Sequence, residues 1–168
     1  LRRQRQMCIR DSWIEGLWSE WQKYFPHDLQ AARTEAETPI LAEAARWLDV
    51  YFRGEEPDFL PPLHPIGSPF RQEVWNILLR IPYGKTVTYG DIARQLAKKR
   101  GLETLSAQAV GGAVGHNAVS ILIPCHRVVG TNGSLTGYAG GMDRKIKLLT
   151  LERADMSRLF IPKMGTAL

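Results

Sequence analysis

The chain has 168 residues, 44% of them hydrophobic and 23% charged, with a formal net charge of +5 and two cysteines. That length suits one medium domain or two small ones with a real core, and the composition is that of an ordinary globular protein. Two cysteines with no CxxC and no clustered Cys/His exclude a disulfide scaffold and a zinc fold. The longest apolar run, residues 119–123, is far too short to span a bilayer, and no apolar stretch follows the N-terminal arginines as a signal peptide requires. A cytoplasmic protein with no membrane partner is expected.

The first twelve residues, LRRQRQMCIRDS, hold four arginines against one aspartate, and so three of the five net charges. A basic arm for nucleic acid is one explanation. The segment has neither apolar periodicity nor a cap, and it resembles translated sequencing-adapter sequence, so residues 1–12 are taken as a non-native tail. Cys8 falls within it, which leaves Cys125 to carry any thiol chemistry.

Residues 13–25, WIEGLWSEWQKYF, alternate loosely and are rich in aromatics, as a short strand would be. One strand is not stable alone. Residues 13–60 are therefore expected to be a truncated α/β domain, the remnant of a small sheet plus a helix. That helix opens at Thr38-Pro39, with Thr38 as N-cap and Pro39 in the first turn. Leu41, Ala44, Ala45, Leu48, Tyr51 and Phe52 form its predicted inner face, and Gly54 ends it. Four prolines between Glu55 and Gly67 mark a boundary.

A second, mostly α-helical domain is expected over residues 66–160. Ser68-Pro69 starts a helix whose apolar face is Phe70, Val74, Ile77 and Leu78, stopped by Pro82-Tyr83-Gly84. Thr88 with Asp91 has the spacing of a capping box, and the helix it starts, with Ile92 and Leu96 inward, runs out in Lys98-Lys99-Arg100-Gly101. Residues 106–115, SAQAVGGAVG, form the next helix, and the pair predicts a helix-turn-helix. Glycine costs a helix about 1 kcal/mol relative to alanine. Its abundance here means that something large comes close to the backbone, either a packed helix or a nucleic-acid groove. An apolar segment then delivers Pro124-Cys125-His126-Arg127. The glycine-rich stretch 130–141 is a loop, and a last helix carries Met142, Ile146 and Leu149 on one face.

A cysteine becomes a nucleophile when its thiolate is stabilised or a base takes its proton. His126 is adjacent and could serve through a bridging water. A third group should orient the imidazole, and Glu152 is a candidate. By pattern alone, Tyr89, Tyr138, Lys145 and Glu152 are ordinary amphipathic or solvated side chains, and a Cys-His pair is weak evidence of catalysis.

The longer stretch 107–130, AQAVGGAVGHNAVSILIPCHRVVG, closely resembles the signature of the O6-alkylguanine-DNA alkyltransferases. Their core is an IPCHRV motif preceded by an asparagine hinge and a glycine-rich recognition helix. The similarity runs from about Phe70 to Glu152, with a weaker echo in GLWSEWQKYF. It implies a winged-helix-like helix-turn-helix and stoichiometric, irreversible transfer of an alkyl group from O6-alkylguanine to Cys125, with O4-alkylthymine left open. On this resemblance His126 is the base, Glu152 holds it, and Asn117 is the hinge between recognition helix and active-site strand. Tyr89 crowds the target phosphate, Tyr138 lines the pocket, and Lys145 lies near the leaving guanine. Gln108, Ala109, Gly111 and Gly112 would meet the minor groove of double-stranded DNA after the base is flipped out. Arg127 corresponds to a structural arginine.

The family implies no metal or organic cofactor and a monomer. Two departures stand out: Gln108 replaces an arginine finger, and Ala118 replaces a proline that often follows the hinge. The alternatives are a lesion-binding alkyltransferase-like protein, which would lack the cysteine, and a Cys-His thiol hydrolase, which would need an oxyanion hole.

Overall fold

The computed structural model describes residues 38–162. The tail over residues 1–12 and the strand expected within 13–25 lie outside the described residues. The chain divides into two compact units, residues 1–64 and 65–168.

In the first unit, helix α1 spans Pro39–Phe52. Thr38 caps it, its Oγ1 accepting from the Leu41 amide at 3.3 Å, and Pro39 occupies the first turn, where no intrahelical donor is needed. Its buried side matches the predicted one at Tyr51 and Phe52 and differs from it nearer the N-terminus. Leu41 is 57% exposed and Ala45 is also exposed, whereas Trp47, Tyr51 and Phe52 are buried. Trp47 and Tyr51 sit one turn apart with rings stacked at 5.2 Å, so the aromatic pair outweighs the smaller aliphatic side chains. Arg46 lies over the Phe59 ring at 4.6 Å.

The second unit begins with α2, Pro69–Leu78, capped by Ser68. It ends before the predicted Pro82-Tyr83-Gly84 stop. Residues 80 and 81 close i to i−3 bonds onto Ile77 and Leu78, because a proline disfavours helical backbone in the residue before it. Strand β1, Val87–Thr88, leads directly into α3, Tyr89–Arg100. The capping box is complete: the Asp91 amide donates to Thr88 Oγ1 at 3.0 Å and the Thr88 amide to Asp91 Oδ2 at 2.9 Å. Gly101, in the left-handed region at φ 64°, closes the helix.

After the turn 101–106, Ser106 caps α4, Ala107–Gly115, which packs on both α2 and α3 through Val110, Ala113 and Val114. The buried Trp75 indole of α2 donates to the Ala113 carbonyl at 2.9 Å. Strand β2, Val128–Val129, pairs in parallel with β1, Val87 opposite Val128 and Thr88 opposite Val129, closing a crossover that contains α3 and α4. Helix α5, Met142–Leu151, then covers a core of Val129, Leu135, Leu149 and Ala154. Among the described residues no helix is long and apolar enough to cross a membrane.

Candidate active site

Asn117, just past α4, organises the segment that leads to Cys125. Its Nδ2 donates to the Ile123 carbonyl at 2.8 Å and to Cys125 Sγ at 3.1 Å, while its Oδ1 accepts from the Val119 amide at 3.1 Å. All three of these bonds lie within eight residues, which bends the backbone back on itself. The active-site strand implied by the resemblance does not form here. The Leu122 amide turns back to the Ser120 carbonyl at 3.0 Å, around Ile121 at φ 73°. A tight turn with positive φ is costly for a β-branched residue. The Cys125 amide makes a similar two-residue turn onto Ile123 at 2.8 Å around Pro124, whose φ of −81° and ψ of 64° are the relaxed form. Cys125–Arg127 then form one 3-10 turn with all three side chains buried.

That turn points two consecutive side chains at one carboxylate. His126 Nε2 meets Glu152 Oε1 at 2.7 Å. Arg127 reaches the same group with two donors, Nε to Oε2 at 2.9 Å and Nη2 to Oε1 at 3.0 Å. The Gly84 amide adds a fourth bond to Oε2 at 3.0 Å, and Arg127 Nη1 donates to the Ile81 carbonyl at 2.6 Å. Glu152, predicted on the last helix, is the residue that terminates it, and it is 2% exposed. Burial by itself would raise its carboxyl, but the hydrogen bonds and charges of His126 and Arg127 prevail and hold it at about 2. Burial pushes the His126 imidazole below its ordinary range. Glu152 opposes that shift, and the nearby Arg127 and Lys145 cations add to it.

The floor of the site is polar where the pattern anticipated solvent. Lys145, on the α5 face, is fully buried, its Nζ donating to the carbonyls of Val128 at 2.5 Å and Thr136 at 2.9 Å. Desolvation lowers its ammonium to about 8. Tyr89, the first residue of α3, is also buried, and its hydroxyl donates at 3.2 Å to the Thr136 and Gly137 carbonyls. Burial raises the phenol, and the charge on Cys125 raises both it and the Lys145 ammonium, which places the three in one electrostatic neighbourhood. Tyr138 follows in the same loop. A Cβ at Gly140 would lie 2.6 Å from the Tyr138 ring, so glycine there makes room for it. Arg144 Nη1 secures the Gly140 carbonyl at 2.9 Å.

Gln108, Ala109 and Gly112 form the exposed side of α4, and Gly111 is half-buried. A Cβ at Gly112 would meet nothing within 4 Å, so packing inside the chain does not demand that glycine. His116 is exposed at the helix end, its Nδ1 2.6 Å from the Gly112 carbonyl.

The structure thus joins Asn117 to Cys125 and, in the next residue along, His126 to Glu152, brings Tyr89 and Lys145 together on Thr136, and leaves Gln108, Ala109 and Gly112 exposed on α4. Sequence reasoning assigned Arg127 to structure and missed its grip on Glu152. It also missed the Thr136 carbonyl and the Gly84 amide, because backbone groups leave no trace in residue type.

A buried thiol beside a histidine that shares an ionised carboxylate with an arginine, in a small helical domain, defines a cysteine–histidine–glutamate protein. Among the described residues no cluster of histidine, cysteine and carboxylate side chains could hold a metal. The profile of the family described as "6-O-methylguanine DNA methyltransferase, DNA binding domain" matches residues 69–154. The chain is 40% identical over 149 residues to the inducible methylated-DNA–protein-cysteine methyltransferase of Bacillus subtilis (strain 168), covering 89% of this chain and 78% of the relative. It is 46% identical over 117 residues to the methylated-DNA–protein-cysteine methyltransferase of Mycobacterium leprae (strain TN), covering 70% and 68%. A crystal structure of Mycobacterium tuberculosis OGT in complex with DNA superimposes with a TM-score of 0.62 at 44% identity, covering 77% of this chain and 76% of that one. The chain belongs to the 6-O-methylguanine DNA methyltransferase family.

Proposed function

We propose that residues 66–160 repair alkylated DNA by moving the alkyl group of O6-alkylguanine onto Cys125. The observation that carries this is the buried Cys125 Sγ, held by Asn117 at 3.1 Å and followed by a histidine bonded at 2.7 Å to an ionised glutamate. With Nε2–H committed to Glu152, Nδ1 is the basic nitrogen of His126 and takes the thiol proton through a water. The thiolate attacks the alkyl carbon. The S–C bond forms as the C–O6 bond breaks, its electrons pass to the guanine, and the base takes up a proton at N1. A thioether has no leaving group that this site could expel, so each molecule acts once. O4-alkylthymine presents the same alkyl ether carbon and is a second substrate.

The O6 atom lies inside the base stack, so the nucleotide must be flipped into the pocket lined by Tyr138, beside Tyr89 and Lys145. Helices α3 and α4 act as the helix-turn-helix of a winged-helix-like unit that binds as a monomer. The side of α4 formed by Ala109, Gly111 and Gly112 lies against the minor groove, supported by the open space at Gly112. Gln108 fills the vacated stack without adding charge, so duplex binding is less salt-sensitive than with an arginine there.

The test is the intact mass after incubation with an O6-methylguanine duplex. The expected result is a single gain of about 14 Da, saturating at one per molecule and absent from Cys125→Ala. An unchanged mass in a folded sample overturns the proposal.

A further inference from the structure

We infer that Arg127 is a positioning residue for alkyl transfer: by gripping Glu152 with two donors it sets the tautomer of His126 and keeps its imidazole neutral. The inference rests on the proposed transfer to Cys125. It starts from the sharing of one buried carboxylate, in which Oε1 receives His126 Nε2 and Arg127 Nη2 while Oε2 receives Arg127 Nε and the Gly84 amide.

Two consequences follow from that geometry. Four donors around one carboxylate keep it ionised, so it can only accept from His126, and the imidazole proton stays on Nε2. Nδ1 is then always the lone-pair nitrogen. In addition, the guanidinium lies against the same charge that would otherwise stabilise an imidazolium. A histidine paired with an isolated buried carboxylate holds its second proton tightly, and one that shares the carboxylate with an arginine does not. Of the remaining groups around His126, a charged Cys125 would favour the imidazolium, while the others oppose it or are neutral. Lys145 on α5 disfavours the imidazolium, and Cys125 precedes the ring in the same 3-10 turn. From the 81–84 loop come the Ile81 carbonyl on Nη1 and the Tyr83 ring, 5.6 Å from the guanidinium carbon, which hold the arginine in place. Tyr89 on α3, in the electrostatic neighbourhood of Cys125, is kept neutral by burial.

The experiment is single-turnover transfer from an O6-methylguanine duplex at saturating protein, followed from pH 5 to 9 for wild type, Arg127→Met and Arg127→Lys. In Arg127→Met the acid limb of the rate profile is expected to move up by about one pH unit, the size of effect a neighbouring buried charge produces. Arg127→Lys keeps the cation, so its limb stays with the wild type even if its plateau falls. A limb that does not move in Arg127→Met overturns the inference, since lost packing lowers the folded fraction without shifting the limb. If Arg127→Met does not fold, nitrogen-15 imidazole spectra of the wild type decide. A neutral Nε2–H ring at pH 7 that persists below the ordinary imidazole range supports the inference, and an imidazolium at pH 7 overturns it. The spectra need no DNA, so wild type that transfers nothing would refute the proposed function and leave this result standing by itself.

Discussion

Lys145 is the residue at which burial and charge conflict most openly. Its amine is held by two carbonyls, those of Val128 and Thr136, so the protonated form is kept at the expense of desolvation. The ammonium titrates at about 8 in the folded protein, below its ordinary 10.5. Between those values the unfolded chain binds the extra proton and the folded chain does not. Stability contributed at this position therefore rises with pH from about 8 to 10.5, and the cost of the buried charge is present in full below 8. Urea unfolding across that range should show the rise in wild type and a flatter profile in Lys145→Met, with the two differing most below pH 8. Glu152 has the opposite environment. Its depressed carboxyl adds stability above about 4.5 that is lost as pH falls towards 2. The Cys125-His126 pair and the candidate Glu152 were legible as residues. Their burial, and the arginine that completes the group, were not, because nothing in residue type records that positions 84, 126, 127 and 152 converge.

Helices α1, α2 and α3 begin where the caps at Thr38, Ser68 and Thr88 place them, since an N-cap is settled by a side chain and an amide two or three residues apart. The exception in α1 concerns which side is buried: spacing counted Leu41 and Ala45, and the Trp47–Tyr51 stack turned the helix instead. Helix α4 poses the sharper question, because packing and groove contact both explain a run of alanine and glycine. The open space around a Cβ at Gly112 decides against packing there. Gly112→Ala should stabilise the fold by about 0.5–1 kcal/mol through helix propensity, and Gly112→Leu should leave the melting temperature close to wild type. Both should weaken duplex binding, Leu by at least about tenfold, as side chains that the groove cannot admit. A fluorescence-anisotropy titration beside thermal melts separates the two effects. Loss of stability without loss of affinity would return the helix to a packing role.

Across the whole second unit, the loop 130–141 is held from three directions. Tyr89 and Lys145 hold its Thr136 carbonyl from within, Arg144 holds Gly140, and the C-terminal segment runs beside it, the Leu135 amide donating to the Phe160 carbonyl at 2.9 Å and the Phe160 amide to Gly133 at 3.2 Å. Gly133 makes that contact possible. At φ 88° it occupies the left-handed region, and a Cβ there would fall 2.1 Å from the Arg158 carbonyl oxygen. Gly133→Ala should cost at least about 2 kcal/mol, from backbone strain and the displaced segment together. That lowers the melting temperature by at least about 8 °C in a domain of about 100 residues. Hydrogen exchange should locate the loss at residues 133–135 and 160, and an unchanged melt would show that the segment moves aside freely.

The capped helix starts and the capping box at Thr88 depend on groups within a few residues of each other, and so the order of side chains along the chain already determines them. The signature around Cys125 was equally visible, since its chemistry is concentrated in adjacent residues. Folding had to decide the rest. The apolar run 119–123 could have been a strand until the three bonds of Asn117 bent it into tight turns. Lys145 could have been solvated until β2 and the 130–141 loop covered it, and Arg127 could have faced anywhere until α5 set Glu152 between it and His126. In each case the deciding partner lies many residues away along the chain, and burial converts an ordinary side chain into a shifted, fully bonded one only when that partner arrives.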